Sequence, residues 1–173
     1  MNDLIQKISS YNIFTNLFPG VLFCLFADHF YKYSLIQENL FVGIFLYYFI
    51  GLIISRIGSL IVEPLLMYFN LLRYSNYSDY VRALKNDDNI STLLETNNMY
   101  RSLTSLFICT FSLSIFNYVT KSCNLINEWK IPILLLLLLV LFIFSYVKQT
   151  NYIRNRINTV NSNQKDQGDG SES

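Results

Sequence analysis

Two charges stand where charge is costly. Arg56 and Glu63 interrupt the apolar stretch IISRIGSLIVEPLL. On a helix, seven residues put them on one face about 10 Å apart, too far for a direct pair. A charge at the bilayer centre costs at least ~2.5–3.5 kcal/mol, so each needs a partner on a neighbouring helix, a lipid headgroup or water. The plainest reading is that both snorkel to the nearer interface; a subunit contact or pore lining is the sharper one. Asp28 and His29 stand side by side and could move a proton, but they close an apolar block and are followed by Lys32, which places them at an interface. There is no serine or cysteine in a nucleophile elbow, no paired intramembrane aspartate and no glycine-rich phosphate loop. One histidine and three cysteines, Cys24, Cys109 and Cys123, make neither a zinc cluster nor a disulfide framework. The expectation is therefore no enzyme, no metal and no cofactor.

The elements that carry these residues are apolar blocks. The chain is 52% hydrophobic and 14% charged, against about 25% charged for a soluble domain. A net charge of +1 gives no field that would recruit nucleic acid directly. Four blocks approach the ~20 residues that a bilayer core requires: Ile13 to about Tyr33, Leu40 to about Leu66, Leu103–Val119 and Ile131–Val147. The last holds six consecutive leucines, Leu134–Leu139. The first, punctuated by Pro19-Gly20, could instead be re-entrant. Spans of this length are helices, because lipid offers backbone amides no partners, and none shows the alternation of a membrane strand. The fold class is thus all-α: an integral membrane protein with four transmembrane helices and a short helical cytoplasmic loop. The divisions are a first transmembrane hairpin (1–66), a cytoplasmic loop (67–100), a second transmembrane hairpin (101–157) and a disordered cytoplasmic tail (158–173), whose polar composition lacks aromatics. Residues 1–12 carry only one basic side chain, Lys7, and do not resemble a signal peptide.

With four spans, ten of the 13 lysines and arginines share the side of the middle loop and both ends, which places the termini in the cytoplasm. Trp129 with Lys130, and Tyr146 with Lys148, bracket the fourth span as interfacial anchors, and Pro132 suits a first helical turn. In the middle loop Ser78 is positioned to cap a short helix through Lys85, and Thr92 with Glu95 has capping-box spacing. The second span carries a small-residue stripe, Gly51, Ser55, Gly58 and Ser59, which allows close helix packing. The stripe fits packing within one chain and association of a homo-oligomer alike. The loop residues Arg73, Tyr74, Tyr77, Tyr80 and Arg82 combine the aromatic and arginine side chains that enrich interface centres, so they are the expected docking site for a cytoplasmic protein subunit; contact with lipid headgroups is the other reading of the same residues. The hydroxyls of the third span, Thr104, Ser105, Thr110, Ser112 and Ser114, together with Arg56, favour the alternative of a small oligomeric pore-forming effector or toxin.

The stretch YNIFTNLFPGVLF, Tyr11–Phe23, followed by a compact four-span plan with a polar middle loop, resembles the small membrane subunit of the Kiwa anti-phage defence system of bacteria. The resemblance implies a non-enzymatic sensor of membrane disturbance in the bacterial inner membrane, acting with a cytoplasmic DNA-binding partner.

Overall fold

The computed structural model describes residues 13–87, 89–122 and 124–168, with side chains except at 14, 85, 120–122, 124–130 and 161–168. The N-terminal residues to Asn12, Cys123, the side chains of Trp129 and Lys130 and the tail's last five residues lie outside that description.

All regular structure among the described residues is helical. A turn of π-helix, Ile13–Leu17, leads into α1 (Phe18–Tyr31). Helix α2 (Leu40–Ile57) passes through a second π turn, Gly58–Val62, into α3 (Glu63–Tyr68). Helix α4 (Tyr77–Asn86), α5 (Asn89–Ser122) and α6 (Asn124–Gly168) follow. Three helices are long and apolar enough to cross a membrane: Leu40–Tyr68, Asn89–Val119 and Ile131–Val160.

The distribution of side chains reverses that of a water-soluble domain. Leu134, Leu135, Leu136 and Leu137 are each more than half exposed, whereas Ser102 and Ser105 are fully buried beside Leu106. Large apolar residues turned outward suit lipid, and small residues inside let helix backbones approach. Closest is the crossing of the first block with α2. A Cβ on Gly20 would strike the Tyr47 carbonyl, and one on Gly51 the Asn16 carbonyl. These contacts run in opposite chain directions, so the two segments are antiparallel. Helix α5 is likewise antiparallel to α2, since Arg101 reaches Glu63 while Ser105 meets Gly58. Phe49 stacks on Phe142 and Ser59 meets Lys148, so α6 runs parallel to α2.

Several helix ends differ from the sequence reading. Asn76 precedes the first turn of α4, which leaves Ser78 inside the helix rather than at its cap. Asp87 Oδ1 accepts the Asn89 N–H at 2.9 Å and starts α5 before Thr92. The Thr92 carbonyl then accepts the Thr96 hydroxyl within the helix, in place of a capping box with Glu95. Helix α5 therefore takes in residues 89–100 of the expected loop. Helix α6 begins at Asn124, which puts Pro132 in its interior rather than its first turn. It also continues to Gly168 through residues expected to be disordered. Extending an existing helix needs no new nucleus, and the stretch holds neither proline nor glycine before Gly168.

Candidate functional site

Three charges stand near corresponding ends of apolar runs. Glu63 interrupts the Leu40–Leu66 block three residues before its end, Arg101 lies two residues before Leu103, and Lys148 directly follows Val147. The helices that carry them place all three at one level. Arg101 Nη1 donates to Glu63 Oε2 at 2.9 Å, and Lys148 Nζ lies 3.7 Å from Glu63 Oε1. A carboxylate that joins cations from two other helices holds the spans together at the border of their apolar segments.

The second role of Lys148 follows from the π turn. The Glu63 N–H donates five residues back, to the Gly58 carbonyl, instead of to Ser59. The next donor in that register would be residue 64, which is proline and has no N–H. The Ser59 carbonyl therefore has no backbone donor from its own helix. Lys148 Nζ donates to that carbonyl at 2.6 Å and to the Ser59 hydroxyl at 2.9 Å, satisfying a group that would be costly to leave bare in lipid.

Above this network lies a cleft of about 790 Å³. Arg56, Ser59 and Glu63 form one wall, Asn97 and Arg101 another, and Lys148 with Tyr152 a third. Helix α4 closes the top. Its Val81 is fully buried, and Tyr77 sets its ring edge-on to Tyr152 at 5.3 Å, with Tyr80 6.0 Å from Tyr77 on the same helix.

The residues singled out in the sequence fall into three groups. Arg56, Ser59, Glu63, Tyr74, Tyr77 and Tyr80 all line the cleft. Tyr77 and Tyr80 are half-buried there, whereas Arg73 and Arg82 are exposed outside it. Gly51, Ser55 and Gly58 belong to packing inside the chain. Gly51 meets the first block, a Cβ added at Gly58 would strike the Ser105 hydroxyl and lie 3.3 Å from Arg101 Cγ, and Ser55 is buried. Asp28 is half-buried and His29 exposed against the Phe30 ring, away from this cleft. In α5 the Thr104, Ser105, Thr110 and Ser112 hydroxyls donate to carbonyls four residues back in their own helix.

Sequence reasoning did not single out Arg101 or Tyr152, and it read Lys148 only as an interfacial anchor and Gly20 only as punctuation. Arg101 and Lys148 carried a signal: each borders an apolar run near the end where Glu63 interrupts another. Gly20 looked like punctuation beside Pro19 and is in fact the partner of Gly51. The chain matches no protein-family model, no curated protein and no solved structure.

Proposed function

We propose that this chain is a non-enzymatic, four-span subunit of the bacterial inner membrane, with both ends cytoplasmic, that senses disturbance of the bilayer and docks a soluble cytoplasmic partner. One observation carries the reading. Helix α4 is seated through Val81, Tyr77 and Tyr152 directly over the charges that join the membrane helices. A change in bilayer thickness or tension alters the tilt of those helices, and the Glu63 contacts lie where such a change displaces α4. The exposed Arg73 and Arg82 are free to meet a partner.

The first block supplies the fourth span. Its five π-helical and 14 α-helical residues reach roughly 27 Å, close to the ~30 Å core. Its antiparallel contact with α2 and the charge bias of the loops support that path. Copies associate through outward apolar faces, because the small-residue stripe is occupied within the chain. The resemblance at Tyr11–Phe23 supports a setting in anti-phage defence, with the partner as the DNA-binding component.

The test is affinity purification of the full chain in mild detergent, co-expressed with the proteins of its neighbouring genes. A soluble subunit should co-purify, and Arg73→Glu with Arg82→Glu should lose it while membrane insertion is unchanged. No co-purifying subunit, or full recovery by the double variant, overturns docking. A reporter active only in the cytoplasm should work when fused after Lys85; an external signal there overturns the four-span path.

A further inference from the structure

We propose that the cleft beneath α4 binds a phosphate group, carried by an anionic glycerophospholipid or by the soluble phosphoester of the same headgroup. Three cations, Arg56, Arg101 and Lys148, line it with two carboxylates, Glu63 among them and Asp79 exposed on α4. The bonding capacity of the two arginines is not used up. Arg101 gives one N–H to Glu63, and its Nε is buried with no acceptor. Arg56 takes part in none of the ion pairs among the described residues. Guanidinium groups match phosphate oxygens in a planar fork, and such charge-assisted bonds are roughly twice as strong as neutral ones.

Position and size agree with this ligand. The charges lie near the ends of the apolar segments, within reach of the lipid phosphate level, and Arg56 extends the cationic wall about 10 Å further along the helix. A volume of about 790 Å³ is within the ~300–1,000 Å³ of small-molecule sites. The tyrosines of α4 and Tyr152 provide an amphipathic rim for glycerol or acyl carbons. A phosphate between Arg56 and Arg101 would link α2 to α5 from the open side of the Glu63 network.

The inference rests on the chain being membrane-embedded but not on partner docking, and its test contains no partner, so the two readings fail separately. The full chain in neutral detergent is melted with added short-chain phosphatidylglycerol, phosphatidylcholine or soluble glycerol 3-phosphate. Phosphatidylglycerol should raise the midpoint and phosphatidylcholine should not. An equal rise with glycerol 3-phosphate supports the site with a soluble ligand; a rise with the lipid alone supports a lipid ligand. Arg56→Gln should weaken binding roughly tenfold, the loss of one charge-assisted bond. Glu63→Gln combined with Arg101→Gln leaves the net charge of the cleft unchanged and should weaken binding similarly. Arg154→Gln, an exposed change on α6 outside the cleft, should leave it intact. No preference for the anionic lipid, wild-type affinity in Arg56→Gln, or an equal loss in Arg154→Gln overturns the proposal.

Discussion

The two halves of the second long helix are held by contrary means. Along α2, Gly20 and Gly51 bring the first block so close that backbone lies on backbone. Close packing persists as far as Gly58, against Ser105 and the Arg101 backbone; beyond it the cleft opens, and long side chains cross the gap from Arg101 and Lys148 to Glu63 and Ser59. A backbone seam rests on dispersion between atoms already in contact, so it has no slack. A gap bridged by arginine and lysine widens or narrows by rotamer changes, and it encloses volume. The contrast assigns rigidity to the first half and responsiveness to the second.

Gly51→Leu should produce the largest effect, because the added side chain meets the Asn16 carbonyl. Overpacking typically costs about 1–3 kcal/mol and here has no side chain to push aside. Size-exclusion chromatography in mild detergent should show most of the folded species lost. Phe41→Leu, at a side chain 76% exposed, should stay within about 0.5 kcal/mol. A normal elution profile and melting midpoint for Gly51→Leu would break the comparison outright.

Glu63→Gln comes next, since it strands two cations in a partly buried site. Loss of a charge-assisted bond with its partner left behind costs about 1–3 kcal/mol here, less than in a fully buried pair. Arg101→Gln added to it should recover part of that loss, measured as coupling in a double-mutant cycle. Simple additivity would mean that the ion pair does not join the helices.

Lys148→Met should have the smallest effect, about 1 kcal/mol for leaving the Ser59 carbonyl without a donor. Pro64→Ala restores an N–H in the register of the π turn and should reduce the cost of Lys148→Met. The same cost in both backgrounds would show that the carbonyl is not what Lys148 serves.

The helical plan was legible because apolar runs are local, and Leu134–Leu139 needs no distant information. That Glu63 needs a partner was legible too, from the cost of isolated charge in lipid, but a neighbouring helix was one option beside a lipid headgroup and water, and snorkelling was the plainer reading. Which partner it finds was not, since Arg101 is 38 residues away and Lys148 meets Ser59 across 89. Only alignment of the run ends in space selects them. The start of α5 was misplaced because Thr92 and Glu95 offer a cap spacing, while Asp87, nearer the polar loop, provides the acceptor that is used. The loop tyrosines Tyr74, Tyr77 and Tyr80 line one cleft, but solvent-facing and helix-facing aromatics look alike in a polar segment. Tyr77 is drawn inward by Tyr152, 75 residues on, whereas Arg82 points out.

The π turn at Gly58–Val62 amounts to one surplus residue in an otherwise regular helix. Its Glu63-to-Gly58 bond, five residues long, would become an ordinary four-residue bond if one residue between them were missing. Ile61 is the natural one to remove, as its side chain is 56% exposed on the outward face. The deletion should leave Glu63 facing Arg101 and Lys148, and Pro64 would still deny a donor to Ser59. Removing Leu52 from the regular part of α2 would instead turn everything beyond it by about 100° and draw it back about 1.5 Å. Along this helix, chain length is therefore free to change by one residue at that turn and fixed elsewhere.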